Sequence, residues 1–491
     1  MYAGYGFRHF EIGDVDVIYA DGKFHLFHLV LPNHDYIAHA VSDDGLRWER
    51  VENALFIGHP GSWDDDMLWT MHVSPNPHIE GEYRMFYTGL SMREQGRVQR
   101  VGVARSRDLM TWSKDEENGY PLEISGPHYE SSLDEGRHWV SFRDPYYLCV
   151  NGQGYLLAAA RTNNASIIRR GAAALLKETA PDTFEICKPL HHPGRYDDFE
   201  VPGVFELKER YFLLGSIRED VKVHYWYADD FLDEYRNFSD NVLLPRGNYA
   251  GRVCFDGDTV LLWNFFIRGE RSAGQHLLPP PKEIVSENGR LQLKSYAGFD
   301  KTLKGEVPLE EVGPLEPLFQ PDRQSQLTGE RLYFGCSSGF ELFLLRGEFD
   351  DYRLSGKLEL DGEGKCGLVM HTKGDDGYYI SLDLIKGLAQ IRYWAGNPDG
   401  DFESAFTYQE LQSAYYTPGE GPFDFALISF GSYIELSIGG YVRLTLADDS
   451  RMSGRVGFYT ESAFTEVTDL KLELLNCPKD TPYVSQDPAA M

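Results

Sequence analysis

DGKFHLFHLV (21–30) is one of five versions of the same short segment. The others are GEYRMFYTGL (81–90), GQGYLLAAAR (152–161), KERYFLLGSI (208–217) and GDTVLLWNFF (257–266). Each opens on a Gly/Asp-type turn and runs into alternating or continuously apolar residues, the signature of a β-strand entered through a hairpin. Trp-bearing continuations follow the first two, IAHAVSDDGLRWER (37–50) and VGVARSRDLMTWSK (101–114). Looser ones follow the next two, AALLKETAPDTFEI (173–186) and YWYADDFLDEYRN (225–237). Each unit therefore reads as a small antiparallel sheet. The strands begin at Phe24, Tyr83, Tyr155, Tyr211 and Val260, roughly 50–70 residues apart, longer than a minimal four-stranded blade. The expectation is an all-β chain whose N-terminal half is a five-bladed β-propeller with inserted loops.

The propeller is expected over 1–300, followed by a linker at 301–325 containing the Pro-rich EVGPLEPLFQPDR (311–323). From 326 to 477 short strands recur at regular spacing, among them FELFLLRGEF, CGLVMHTKG, GYYISLDLI and YIELSIGG. That pattern predicts a β-sandwich of two packed antiparallel sheets, of lectin-like type. Residues 478–491 read as a frayed tail.

Composition narrows the partners. Lys and Arg total 47 against 76 Asp and Glu, a net charge of −29. Such a surface repels phosphate backbones and anionic lipid, so nucleic acid and membrane are poor partners. With 30 Tyr, 29 Phe and 8 Trp, aromatic rings suit both strand interiors and the apolar faces of sugars. The six cysteines show no metal-ligand spacing and read as free thiols of a reducing compartment. Neither a secretory signal nor a membrane-length apolar run is visible, so a cytoplasmic location is expected. No cofactor or metal is expected, and the oligomeric state is not legible.

Three acids stand at similar counts before the repeated strand. Phe24 lies 10 residues past Asp14, Tyr155 lies 11 past Asp144, and Tyr211 lies 11 past Glu200. The same count from Tyr83 and Val260 reaches His72 and Tyr249. If the units are equivalent modules around an axis, these five positions face one another. A solvated turn carboxylate has no reason to choose a common offset, so a shared site is the stronger reading.

Glycoside cleavage needs such a trio. One carboxylic acid protonates the leaving oxygen, a second attacks the anomeric carbon or activates water, and a third holds hydroxyls and offsets developing positive charge. Arg143, beside Asp144, would keep that third group ionised.

At this point the motifs resemble glycoside hydrolase family 32, the invertase, inulinase and levanase group. FRDPYYLCVNGQGYLLAAAR looks like the family's RDP motif and the strand after it. FEVPGVFEL looks like its EC motif with Val201 replacing the Cys. GDVDVIYADGKFHLF is a degenerate NDPNG segment, and IAHAVSDDGLRW resembles WGHAxSxDLxxW. HLLPPPKEI falls where the propeller would end, and SYIELSIGG (432–440) is similar to a strand of the family's C-terminal module. The resemblance implies Asp14 as nucleophile, Asp144 as transition-state stabiliser and Glu200 as acid/base. It also implies retaining hydrolysis, or transfer, of non-reducing-end β-fructofuranosyl-type residues; that the substrates are small oligosaccharides is expected from the lack of a visible secretory signal. Gly13 and Val17 replace the Asn and Gly of NDPNG, Leu29 the Gln after the strand, and LWTMHV (68–73) the FSGS segment. The sugar-holding shell is thus rewritten.

DVDVI also resembles the start of family 43, which would make the chain an inverting arabinofuranosidase or xylosidase. A catalytically silent sugar-binding propeller is the reading from a different class. The remaining expected substrate contacts are Arg143, Asp16, His28, Trp69, His72, Asp66 and Tyr249. Trp226 and Trp263 fit the gaps between blades better than a sugar platform.

Overall fold

The computed structural model describes residues 2, 11–115, 119–267, 276–323, 325–361, 364–397, 405–417 and 421–478. Each repeated segment is the second strand of a separate antiparallel sheet. The five innermost strands are Glu11–Ala20, Met67–Pro75, Phe142–Val150, Glu200–Glu206 and Asn248–Asp256. They stand side by side in a ring, the first against the second and so on, and the fifth returns to the first. The fold is a five-bladed β-propeller followed by a β-sandwich, as the periodicity implies.

The second strands are buried along nearly their whole length. Phe24 to Val30 is continuously covered, because each blade is packed on both faces by its neighbours. That explains why these segments read as apolar runs where a half-exposed sheet would alternate. Five separate apolar layers fill the gaps between blades. Phe27 and Met85 lie between the first and second, and Phe86 and Leu156 between the second and third. Leu157 and Leu213 follow, then Leu214 and Leu262. Val17, Leu26 and Leu261 close the ring. Trp226 and Trp263 are buried in these layers, where the sequence reading put them. The closing layer also takes in Tyr2, whose main chain bridges Leu278.

The sandwich departs from two independent sheets. A single strand of 21 residues, Arg455–Leu475, runs through both layers. Its first half pairs with Arg331–Leu344 and Lys365–Lys373, its second with Tyr352–Asp361. Two non-glycine residues in left-handed conformation, Ser462 and Asp469, fall along it. The hydrogen-bonded array is thus continuous and folds over on itself. The stretch expected as linker also joins this array, since Leu303–Val307 pairs with Leu472–Leu475. LKGEV is polar and mostly exposed, so no apolar period marks it as a strand; its partner supplies the hydrogen bonds.

Candidate active site

The inner strand of every blade is irregular at one end. In four of the five, two of its residues oppose one on the second strand. Gly13 and Asp14 face Leu29, Asp144 and Pro145 face Ala158, Val201 and Pro202 face Gly215, and Ala250 and Gly251 face Asn264. The second blade carries one extra residue, Thr70. Such bulges break the pairing and re-aim side chains. Asp144, Val201 and Ala250 adopt positive φ, 58°, 51° and 54°, and each donates its N–H to a side-chain oxygen. Asp144 is capped by Thr88 Oγ1 at 3.0 Å, Val201 by Asp144 Oδ2 at 3.0 Å, and Ala250 by Ser216 Oγ at 2.9 Å.

The three acids converge here, though not at one register. Asp14 is the second extra residue of its bulge, Asp144 is the first, and Glu200 immediately precedes its own. Equal counts along the chain misalign the blades because the hairpins differ in length: Tyr155 pairs with Leu148, four residues past Asp144, whereas Tyr211 pairs with Glu206, six past Glu200.

Arg143 ties the cluster together. Its Nη2 donates to Glu200 Oε1 at 2.7 Å and lies 3.3 Å from Asp198 Oδ2, while its Nε is 3.6 Å from Asp144 Oδ2. Tyr249 donates its hydroxyl to Glu200 Oε2, and Thr70 donates to Asp14 Oδ2. Asp144 is almost fully buried, whereas the Glu200 side chain keeps 16% exposure. Burial, then the Asp144 and Glu200 charges, push Asp14 up to about 7 against the Thr70 hydrogen bond. Glu200 is also raised, chiefly by burial, with Arg143 opposing and Asp144 and Asp198 adding to the shift. Asp14 and Glu200 are thus both biased toward the protonated form, whereas Asp198 is held low, against its burial, by Arg143 and Arg137.

Local packing sets these positions. A Cβ on Gly215 would stand 2.3 Å from the Phe199 ring, so the bare glycine admits Phe199 and aims the adjacent Glu200 inward.

The other expected contacts sort by depth. Tyr249 reaches the cluster. Trp69, partly exposed, precedes Thr70 and lies 6.1 Å from the His34 ring, with its buried Nε1 unpaired among the described residues. Asp16 and His72 are buried below the mouth and pair with each other at 3.2 Å. Asp16 also accepts from Val73 N at 2.7 Å, and His72 reaches Tyr147 O at 3.0 Å. Their hydrogen bonds thus tie the first, second and third inner strands together. His28 is likewise a core residue: it is fully buried, bound to Tyr2 Oη and Leu29 O, and lowered to about 3 by burial and Arg50. Among the described residues no hydrogen bond or ion pair links Asp66 to the acids. Its neighbours Asp64 and Asp65 are consumed locally, by Tyr87 and Lys114 and by the N–H groups of Gly61 and Met92.

The count along the chain missed several residues. Arg252, fully buried, donates to Pro202 O at 2.7 Å and Pro145 O at 2.9 Å, pinning two bulges at once. Its Nε also lies 3.8 Å from Asp16. An Arg flanked by apolar residues in GRVCF was the available signal. Thr70, Thr88 and Asp198 carried none. Among the described residues no group of three or more His, Cys, Asp and Glu is placed to hold a metal ion.

With this geometry in hand, the family follows from the match of residues 15–264 to the model of the glycosyl hydrolases family 32 N-terminal domain. The chain belongs to glycosyl hydrolase family 32. A levanase of Bacillus sp. (strain L7) is 23% identical over 399 residues, 71% of this family 32 chain and 38% of the levanase. The chain thus spans less than half the length of the curated relatives it matches. Among solved structures, a family 32 β-fructofuranosidase of Bombyx mori superposes with a TM-score of 0.66 at 17% identity, covering 95% of this chain and 91% of that one. Sucrose-6-phosphate hydrolase of Lactobacillus gasseri gives 0.67 at 14% identity, covering 96% and 93%. At such identities the structural likeness speaks for the fold.

Proposed function

We propose that the protein is a retaining glycoside hydrolase that releases non-reducing-end β-fructofuranosyl-type residues from small oligosaccharides. The observation that carries this is the meeting of Asp14, Asp144 and Glu200 at the bulged mouth of the propeller, with Arg143 and Tyr249 on Glu200. Glu200 protonates the leaving oxygen as Asp14 attacks the anomeric carbon. The carboxylate that Glu200 becomes is received by the Arg143 guanidinium and the Tyr249 hydroxyl, already in place. Glu200 then takes a proton from the water that releases the sugar from Asp14. Asp144, buried and fixed by the Val201 N–H, is the carboxylate left to hold sugar hydroxyls and offset the developing positive charge. The family membership and the levanase relative support the substrate class. All six cysteines are free thiols, which supports a reducing, cytoplasmic setting and short imported substrates.

Glu200→Gln keeps the shape of the side chain and one accepting oxygen for Arg143, reverses the Tyr249 contact so that the amide donates to the hydroxyl, and removes the proton donor. Turnover of sucrose, kestose and levan-type oligosaccharides is expected to fall by about 10²–10⁴-fold in a chain that stays folded, as read by circular dichroism. A fully active variant would defeat the assignment. Retention is tested by NMR of the first-formed sugar anomer; inversion would point to the family 43 type of mechanism.

A further inference from the structure

A second concavity, about 980 Å³, lies on the sandwich far from the acids in sequence. Five strands form its floor side by side: Arg331–Leu344, Arg455–Leu475, Lys365–Lys373, Asp376–Asp383 and Leu388–Gly396. One cross-strand row runs Tyr459, Gly367, Ser381, Gln390. A Cβ at Gly367 would stand 2.3 Å from the Tyr459 ring, so the missing side chain lets that ring lie across the floor. In the next row Tyr379 faces Arg392, with Trp394 one step further along the same face. Tyr379 sits 6.1 Å from Trp394 and 6.4 Å from Tyr459, ring centre to ring centre. Trp394 is 42% exposed.

We propose that this groove is a saccharide-binding site, separate from the propeller mouth, that takes a neutral oligosaccharide. Three features choose that ligand. The aromatic faces alternate with a hydroxyl, an amide and a guanidinium, matching a molecule whose rings have apolar faces and polar rims. The lining carries three cations (Lys365, Lys386, Arg392) against four anions (Asp375, Asp376, Asp383, Glu461). It is therefore near neutral on a chain of net charge −29, which selects against phosphate and polyanions. Five adjacent strands at about 4.8 Å spacing make a trough on the order of 19 Å across, suited to several linked sugars. An apolar peptide would cover a floor on which Gln390 donates to Glu410 Oε2 and accepts from Arg392, and hydrocarbon cannot serve the remaining polar atoms of that network. The inference does not rest on the propeller reading.

The test uses the full chain with Glu200→Gln, so that no ligand is consumed. It is titrated calorimetrically with inulin-, levan-, xylo-, arabino- and cello-oligosaccharides, with tryptophan fluorescence in parallel. At least one series should bind saturably in a way that Trp394→Ala and, independently, Gln390→Ala weaken about tenfold or more. In an otherwise unaltered chain, Trp394→Ala should leave kcat on sucrose unchanged. If the propeller also binds that sugar, the stoichiometry falls from two to one; if the propeller reading is wrong, it falls from one to zero. Identical isotherms for the parent and both variants, or no binding at about 10 mM ligand, would overturn the proposal. So would a dimer that Trp394→Asp dissociates, since the groove would then be covered by protein.

Discussion

Asp14 sits where its own charge is disfavoured, lifted to about 7 by burial and by Asp144 and Glu200. In the unfolded chain it returns to an ordinary carboxylate value near 3.8. Between those two values the folded state holds the proton and the unfolded state does not, so stability falls as pH rises through that window. Asp14→Asn removes the penalty. The variant should be inactive yet more stable than the parent at pH 8, by an amount of order 2 kcal/mol at this partly open site. The gain should shrink to nothing near pH 4, as read by denaturant unfolding at each pH. Tyr249 acts on the other carboxyl: its donated hydrogen bond lowers Glu200 against the upward pull of burial. Tyr249→Phe therefore raises Glu200 further, and the alkaline limb of kcat/KM against pH should move to higher pH. An unmoved limb would mean that Glu200 is not the proton donor. These residues were legible as candidates because each stands 10 or 11 residues before the repeated strand of its blade. His28 was a candidate only because it adjoins Leu29, which stands where the resembled family has Gln; its partners, Tyr2 and Leu29, place it in the core.

At the level of the strand, the bulges make the site. A regular inner strand would point alternate residues at the neighbouring blades. The extra residues break that alternation just where a carboxylate must face the axis. Each left-handed bulge residue needs its N–H satisfied, and the second strand of the preceding blade supplies a hydroxyl for two of them. Thr88→Val keeps the shape but leaves the buried Asp144 N–H without its partner. A loss of about 1–3 kcal/mol is expected, together with a fall in kcat because Asp144 loses its anchor. Thr88→Ser should restore both in a paired unfolding and activity measurement. Strand identity was legible in the apolar runs at 21–30, 81–90 and the later repeats. The bulge offset was not, because one inserted residue leaves the local hydrophobic pattern almost unchanged.

In the whole molecule, the propeller and sandwich form one packed body. Leu46 and Phe299 share an apolar cluster with Ile428, Phe430, Tyr433 and Leu475. Asn248, next to Tyr249, donates to Thr445 O at 2.9 Å, and Gln412 donates to Arg246 O at 2.7 Å. The sandwich thereby buttresses the strand that carries the Glu200 partner. At the same junction Lys282 is fully buried 5.1 Å from the Tyr433 ring centre, and burial brings it down to about 8 against the attraction of Glu435. Glu435 is raised by burial and accepts from Tyr433 Oη at 2.5 Å. Lys282 Nζ donates to Pro280 O at 3.0 Å, so the attraction acts without a direct ion pair, and Lys282→Met or Glu435→Gln alone should cost roughly 1–3 kcal/mol. The double variant should recover most of that loss, a coupling measurable as a double-mutant cycle. Simple additivity of the two single losses would show that the charges are independent.

Strand periodicity, turn chemistry and the short acidic motifs are local properties, so the chain alone specified the blades, their number and the three acids that meet at the propeller mouth. The depth of Asp16 and His72, the fold-over of the sandwich through Arg455–Leu475, and the axial grip of Arg252 on Pro145 and Pro202 came only with tertiary structure. Each depends on partners far away in the chain. A hydrogen bond between blades leaves no period in the sequence of either one.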